Sequence, residues 1–316
     1  MNKSVKIKIL IGALIFLLIG FSIKISFTDY APEQQAQNKN LIATASVLDA
    51  LSSPSNSAML STPEIPGIKK PKVPEALTAQ ASIVVNLSAG EEVFALREQA
   101  RWPMASIVKL MSSVVALENM DREQRIFISP TAIEAIGAVG MLTEGDSYSV
   151  IDLVSAMMVV SSNDAAVALA ENMPAGQFVY LMNRKADDIG MNNTRFHEPT
   201  GLSSLNQSTA NDLAIFVRYI WYAFPELFTI SAKGSVVIRE LNLNQNIRLN
   251  NINPLATRND FLGGKTGTTL DANQNLVAIF SIAEENIAII ILGADDRIKE
   301  TEKIINYINN DSNTSY

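Results

Sequence analysis

The strongest constraint on the fold is the run Arg101-Trp102-Pro103-Met104-Ala105-Ser106-Ile107-Val108-Lys109-Leu110-Met111. Pro103 is tolerated at a helix entry but not inside a helix. Ile107, Val108, Leu110, Met111, Val114, Val115 and Leu117 then make the following helix apolar on most faces. Such a helix is buried, so the rest of the chain has to wrap around it, and two polar groups go in with it. Ser106 and Lys109 are three residues apart and share one helix face, which brings the amine within reach of the hydroxyl. The positive end of the helix favours negative charge developing there. Ser106 is therefore a candidate nucleophile and Lys109 its base. A lysine serves as a base only if its pKa falls well below the free value, which burial and a second cation both promote. The arrangement predicts another lysine in the site.

The chain has 316 residues, 47% of them hydrophobic, enough to bury a sizeable core in one large domain or two small ones. It has no cysteine, which excludes disulfides, thiolate zinc sites and cysteine nucleophiles, and the single His197 excludes a multi-histidine metal cluster. The net charge is −7, and the first 28 residues hold Lys3, Lys6, Lys8 and Lys24 with no acid, so the remainder is more acidic still. Nothing in that balance suggests a nucleic-acid partner, for which a basic surface is expected.

In chain order, Ile9 to Ile23 form an uncharged apolar run between lysines. Residues 1–28 read as an export signal or a membrane anchor. No convincing small-x-small cleavage site follows, the flanking lysines can snorkel, and a retained anchor helix is the favoured reading. The lysine excess places the amino end in the cytoplasm and the remainder outside, in the periplasm or at the outer face of the cytoplasmic membrane. Residues 29–77 are poor in aromatics and rich in Gln, Asn, Ser, Ala and Pro, the composition of a tether. A domain is expected over residues 78–309, with a polar tail at 310–316. Ser82 to Asn86 and Glu92 to Leu96, around Ser88-Ala89-Gly90, predict a β-hairpin. Ser129-Pro130, Ser149-Val150-Ile151-Asp152 and Thr209-Ala210-Asn211-Asp212 are helix starts, the last for a helix ending before Pro225; further helices are expected over 164–172 and 177–189. Strands are expected over 235–243, 246–250, 262–268, 275–282 and 287–292, and the isoleucines from Ile298 to Ile308 mark a closing amphipathic helix. Strands at both ends with helices between them predict an α/β (α+β) domain, an antiparallel sheet flanked by helices with an inserted all-helical subdomain.

Ser-x-x-Lys alone recurs by chance about once in a chain of this length. Two further elements change its weight. Ser161-Ser162-Asn163 lies between two helices, where it can hold a hydroxyl and an amide at a cleft rim. Lys265-Thr266-Gly267, entered from Leu262-Gly263-Gly264, supplies the second lysine. Ser204-Leu205-Asn206 repeats the middle pattern and is read as a loop.

In this order and context the three elements resemble the penicillin-binding protein and serine β-lactamase superfamily, and most closely the D-alanyl-D-alanine carboxypeptidases of low molecular mass. The likeness runs from about Ala79 to Asn309. It includes Trp102-Pro103-Met104-Ala105-Ser106, Ser161 to Ala166, Gly201-Leu202, Ser208 to Ala214 and Gly264 to Gly267. The resemblance implies a DD-peptidase/β-lactamase-like fold and hydrolysis of the bond between two D-alanines in a peptidoglycan stem peptide, with β-lactams as inhibitors and no metal or organic cofactor. It also implies the roles. Ser106 attacks and Lys109 takes its proton; Ser161 relays a proton to the leaving amine; Asn163 orders the lysine and the substrate amide. Lys265, Thr266 and Thr268 hold the terminal carboxylate within the Lys265-Thr266-Gly267-Thr268 segment, and the N–H groups of Ser106 and Thr268 form the oxyanion hole.

One departure concerns Glu198 of Glu198-Pro199-Thr200-Gly201-Leu202, where the carboxypeptidases often carry Asn. A glutamate in this region activates the deacylating water of class A β-lactamases, whose Glu-x-x-Leu-Asn pattern Glu198 does not match. Glu240-Leu241-Asn242-Leu243-Asn244 matches it literally but in a strand context, and is read as accidental. A serine β-lactamase and a non-catalytic penicillin-recognising sensor or scaffold stay open as alternatives. His197 is read as structural or peripheral, and Asp295-Asp296 as a solvated turn.

Overall fold

The computed structural model describes residues 77–137 and 142–312. The expected anchor, and all but the last residue of the expected tether, lie outside the described residues. Among those described, no single helix is long and apolar enough to cross a membrane.

The expected hairpin is present as β1 (Ala81–Asn86) and β2 (Glu91–Leu96), followed by the short β3 (Trp102–Pro103). A single 3-10 turn over Ala105–Ile107 leads into helix α1 (Val108–Asn119), buried from Val108 to Ala116 as its apolar sequence requires. Next come β4 (Arg125–Phe127), α2 (Pro130–Ile133), β5 (Ser147–Ser149), α3 (Val150–Val159), α4 (Asn163–Glu171), α5 (Gln177–Asp188), β6 (Gln207–Ser208) and α6 (Ala210–Ala223). The expected caps are made: Ser129, Ser149 and Thr209 each accept a backbone N–H from the third residue on.

The structure corrects the reading after α6. Pro225 does not end helical structure but occupies the first turn of another helix, α7 (Pro225–Ala232), bent 95° from α6. Proline lacks an N–H that a first turn would leave unbonded anyway, so it stops one helix and starts the next.

The carboxyl part supplies β7 (Ser235–Glu240), β8 (Gln245–Asn250), β9 (Phe261–Thr269), β10 (Asn273–Ile282), β11 (Glu285–Ala294) and α8 (Arg297–Ser312). Helix α8 runs three residues into the expected polar tail. Among the described residues, strands β7 and β8 pair only with each other, as a hairpin outside the main sheet. The main sheet is antiparallel, in the order β2-β1-β11-β10-β9, so the two ends of the domain meet where β1 pairs β11.

Both faces of this sheet are covered, which is why β10 and β11 read as continuous apolar runs. Val277, Ile279, Ala288 and Ile290 face a core shared with α1 and the helical block. Leu276, Phe280, Ile289 and Ile291 face Ile304, Ile305 and Ile308 of α8. Strand β9 is left as an edge, and it carries Lys265-Thr266-Gly267 past the start of α1.

Candidate active site

The three elements come together at that junction. Lys109 is 0% exposed, and its Nζ donates to Ser106 Oγ at 3.1 Å and to the Thr200 carbonyl at 2.5 Å. Lys265, also buried, donates from Nζ to Ser161 Oγ at 2.9 Å and to the Thr266 carbonyl at 2.9 Å. The β9 backbone runs against the nucleophile turn: a Cβ on Gly267 would lie 2.9 Å from the Ser106 nitrogen. Only a residue without a side chain permits that approach.

Two backbone positions in the left-handed region set the serines. Ala105 has φ 49° and Ser161 φ 59°; neither is glycine, and such conformations cost about 1–3 kcal/mol unless the surroundings impose them. Around Ala105 those surroundings are visible. Met104 N–H donates to the Asn206 carbonyl (2.9 Å), Asn275 Nδ2 donates to the Pro103 carbonyl (2.8 Å), and Gly201, at φ +90°, packs so closely that a Cβ would lie 2.1 Å from the Ala105 oxygen.

Asn163 is buried at the first position of α4. Its Nδ2 donates to the Ile136 carbonyl at 2.6 Å, and among the described residues it makes no hydrogen bond to Lys109. Thr266 is buried, whereas Thr268 is exposed and accepts from Arg297 Nη1 at 2.7 Å; the same nitrogen donates to the Gly267 carbonyl at 2.8 Å.

The electrostatics follow from burial. Desolvation lowers the Lys109 pKa to about 7, with the negative charge of Glu198 opposing the shift. Lys265 is pushed well below its ordinary value by burial, and then by the charges of Lys109 and Arg297. Burial also lowers Arg297. Three cationic groups converge with little carboxylate to balance them, a setting suited to an anionic substrate group and to a neutral lysine base.

Glu198 has other work. Its Oε2 accepts from Thr200 N (2.7 Å) and Thr200 Oγ1 (2.5 Å), and its Oε1 from Gly201 N (2.7 Å), Ser203 N (3.3 Å) and Asn206 Nδ2. It organises the loop that presents the Thr200 carbonyl to Lys109. Asn206, read from sequence as an ordinary loop residue, is fully buried and accepts from the N–H groups of His197 (2.6 Å) and Glu198 (3.3 Å). Glu240 caps the β7–β8 turn, accepting from Asn242 N (2.8 Å) and Leu243 N (2.5 Å), so the literal Glu-x-x-Leu-Asn match has a structural use. His197 is exposed. Arg297 belongs to none of the sequence motifs; its local signal is a cation in the first turn of a helix, which opposes the helix dipole.

Residues 68–296 match the D-alanyl-D-alanine carboxypeptidases as a family. The chain belongs to that family. It is accordingly a serine peptidase, and its mixed helix and antiparallel-sheet architecture is that of the DD-peptidases. A D-alanyl-D-alanine endopeptidase of Pseudomonas aeruginosa is 32% identical over 228 residues, 70% of this chain and 73% of that protein. The D-alanyl-D-alanine carboxypeptidase DacC of Escherichia coli is 29% identical over 255 residues, 73% of this chain but only 61% of its own length. Among solved structures, the carboxypeptidase DacD of Francisella tularensis superposes with a TM-score of 0.68 at 28% identity, over 80% of this chain and 74% of that one. A penicillin-binding protein of Listeria monocytogenes in its ampicillin-bound form gives 0.65 at 26% identity, over 74% and 98%.

Proposed function

We propose that the chain removes the terminal D-alanine from peptidoglycan stem peptides through an acyl-enzyme on Ser106. The observation that carries this is the buried Lys109 amine, 3.1 Å from the Ser106 hydroxyl and beside a second buried lysine. Neutral Lys109 takes the Ser106 proton as Oγ bonds to the carbonyl carbon between the two D-alanines. The resulting oxyanion is met by the N–H groups of Ser106 and Thr268, where losing one donor costs about 3–4 kcal/mol of transition-state stabilisation. The C–N bond breaks as the proton passes, by way of Ser161, to the leaving amine. Water then cleaves the ester and regenerates the serine. Lys265, Thr266 and Thr268 hold the substrate's terminal carboxylate, with Arg297 fixing Thr268 from behind, and Asn163 lines the cleft beside the 136–137 segment.

With β-lactams the same attack leaves an acyl-enzyme. Glu198 spends both carboxylate oxygens on its own loop, which supports slow deacylation and favours a penicillin-binding peptidase over a β-lactamase. The test is intact mass during incubation of the fragment from Asp29 onward with a penicillin, beside Ser106→Ala. A lasting one-to-one adduct absent from the variant is expected. An adduct that forms and vanishes within seconds while penicillin is consumed identifies a β-lactamase, and no adduct at all sinks the Ser106 assignment. Release of D-alanine from a D-Ala-D-Ala peptide separates the peptidase from a non-catalytic sensor.

The localisation proposal rests on sequence: residues 1–28 anchor the catalytic domain outside the cytoplasmic membrane, and residues 29–77 tether it. Release of the full chain from membranes by salt alone would contradict this.

A further inference from the structure

Away from the Ser106 cleft, the surface bears two adjoining hollows of about 600 and 500 Å³ that share Asp187, Arg195 and His197. Together they form a furrow between α5 and the 191–198 segment, within the usual size range of a ligand site. Its floor is rigid. Asn183 clamps Phe196 from both sides, donating from Nδ2 to the Phe196 carbonyl (2.8 Å) and accepting the Phe196 N–H on Oδ1 (2.9 Å). Arg195 and Gln207 exchange both backbone hydrogen bonds, at 2.8 and 3.1 Å. The lining side chains behave oppositely. Among the described residues, those of Tyr180, Arg101, Arg195 and His197 make no hydrogen bond or ion pair, and Arg184 has only a loose 3.9 Å contact with Asp188. Tyr180 is 60% exposed.

A fixed backbone beneath uncommitted polar and aromatic groups leaves donors, acceptors and a ring face free for a ligand, and confines the ordering cost of binding to the side chains. The chemistry offered is specific. An exposed tyrosine presents a flat apolar face with a polar tip, suited to the C–H face of a pyranose. The planar guanidinium forks of Arg184 and Arg195, with the acceptor carboxylate of Asp187, suit ring hydroxyls and N-acetyl groups at its edge. The furrow is also continuous with the catalytic loop: His197 precedes Glu198, and both N–H groups rest on Asn206.

We propose that this furrow binds the amino-sugar glycan strand of the cell wall, holding the polymer while the Ser106 cleft works along its stem peptides. The proposal rests on the peptidase reading for its biological setting. A second contact on one polymer raises the effective concentration of stem peptide at the cleft without any new contact there.

The test compares wild type with Tyr180→Ala and with Tyr180→Ala/Arg195→Ala, all at exposed positions. Co-sedimentation with peptide-stripped glycan strands should weaken at least fivefold in the double variant, with the single variant between. The kcat/KM on intact insoluble peptidoglycan should fall severalfold, while that on a soluble D-Ala-D-Ala peptide stays at the wild-type value. Equal sedimentation of all three proteins with the stripped strands overturns the proposal. So does binding that appears only when an anionic phosphodiester polymer remains attached to the strands. Strand binding is read without turnover, so an inactive Ser106 site would sink the peptidase reading and not this one.

Discussion

Lys109 shows most directly how a residue acquires a function that its type does not confer. In water its amine is charged at neutral pH; buried, its pKa is about 7. Since only the neutral amine can accept the Ser106 proton, the rate of acylation by a penicillin should rise with pH through about 7 and level off above it, a profile measurable by stopped-flow mixing. The same shift carries a stability consequence. Between about 7 and an unfolded-state value of about 10.4 the unfolded chain binds a proton that the folded chain does not, so this lysine's cost to folding is full below about 7 and disappears as pH rises towards 10.4. Lys109→Met should therefore abolish acylation yet be the more stable protein at pH 7, with the gap closing by pH 10 in denaturant melts. Arg297 makes a different point. Its Nη1 is the donor to Thr268 Oγ1 and the Gly267 carbonyl, so Arg297→Gln should lower kcat/KM on a D-Ala-D-Ala peptide about tenfold, mainly through KM. A fall in kcat alone would contradict its role in positioning Thr268 for the substrate carboxylate.

At the scale of elements, the site exists because a loop, a strand and a helix start are pressed to backbone contact. Gly201 and Gly267 are the points of contact. Gly201→Ala would drive a methyl into the Ala105 carbonyl, displacing the turn that aims Ser106; a loss of more than about 3 kcal/mol in stability and at least a hundredfold in acylation is expected. Gly190→Ala is the control. Its φ is similar, +87°, but nothing lies within 4 Å, so it should cost only about 1 kcal/mol in a thermal melt and leave acylation intact. Most elements were legible in the sequence, because caps at Ser129, Ser149 and Thr209 and the apolar runs of β10 and β11 are local signals. Helix α7 was not, since a proline that closes one helix and a proline that opens the next look alike until the 95° bend between them is seen. The use of Glu198 and Asn206 was equally hidden, because their partners are loop amides that only the folded loop brings to one carboxylate.

Across the whole molecule, a sheet covered on both faces supports the cleft along one edge. Helix α8 closes the face away from the cleft, where Ile304 is fully buried. Ile304→Ala should cost about 2–5 kcal/mol in urea unfolding while the folded fraction keeps its acylation rate, which separates support of the sheet from the chemistry at β9. An equal loss in rate would mean that the two layers are coupled. By itself the sequence determined the burial of α1, the pairing of Ser106 with Lys109 three residues on, the need for a second lysine and the family, because each is a matter of local spacing or of residue type. Only the tertiary structure decided that Lys265 meets Ser161, that Asn163 turns to the Ile136 carbonyl, that Glu198 serves its own loop and that Arg297 stands behind Thr268. Those pairings join residues 27 to 104 positions apart, apart from the Glu198 loop itself, and no local propensity specifies which groups a five-stranded sheet and a packed helix will bring within 3 Å.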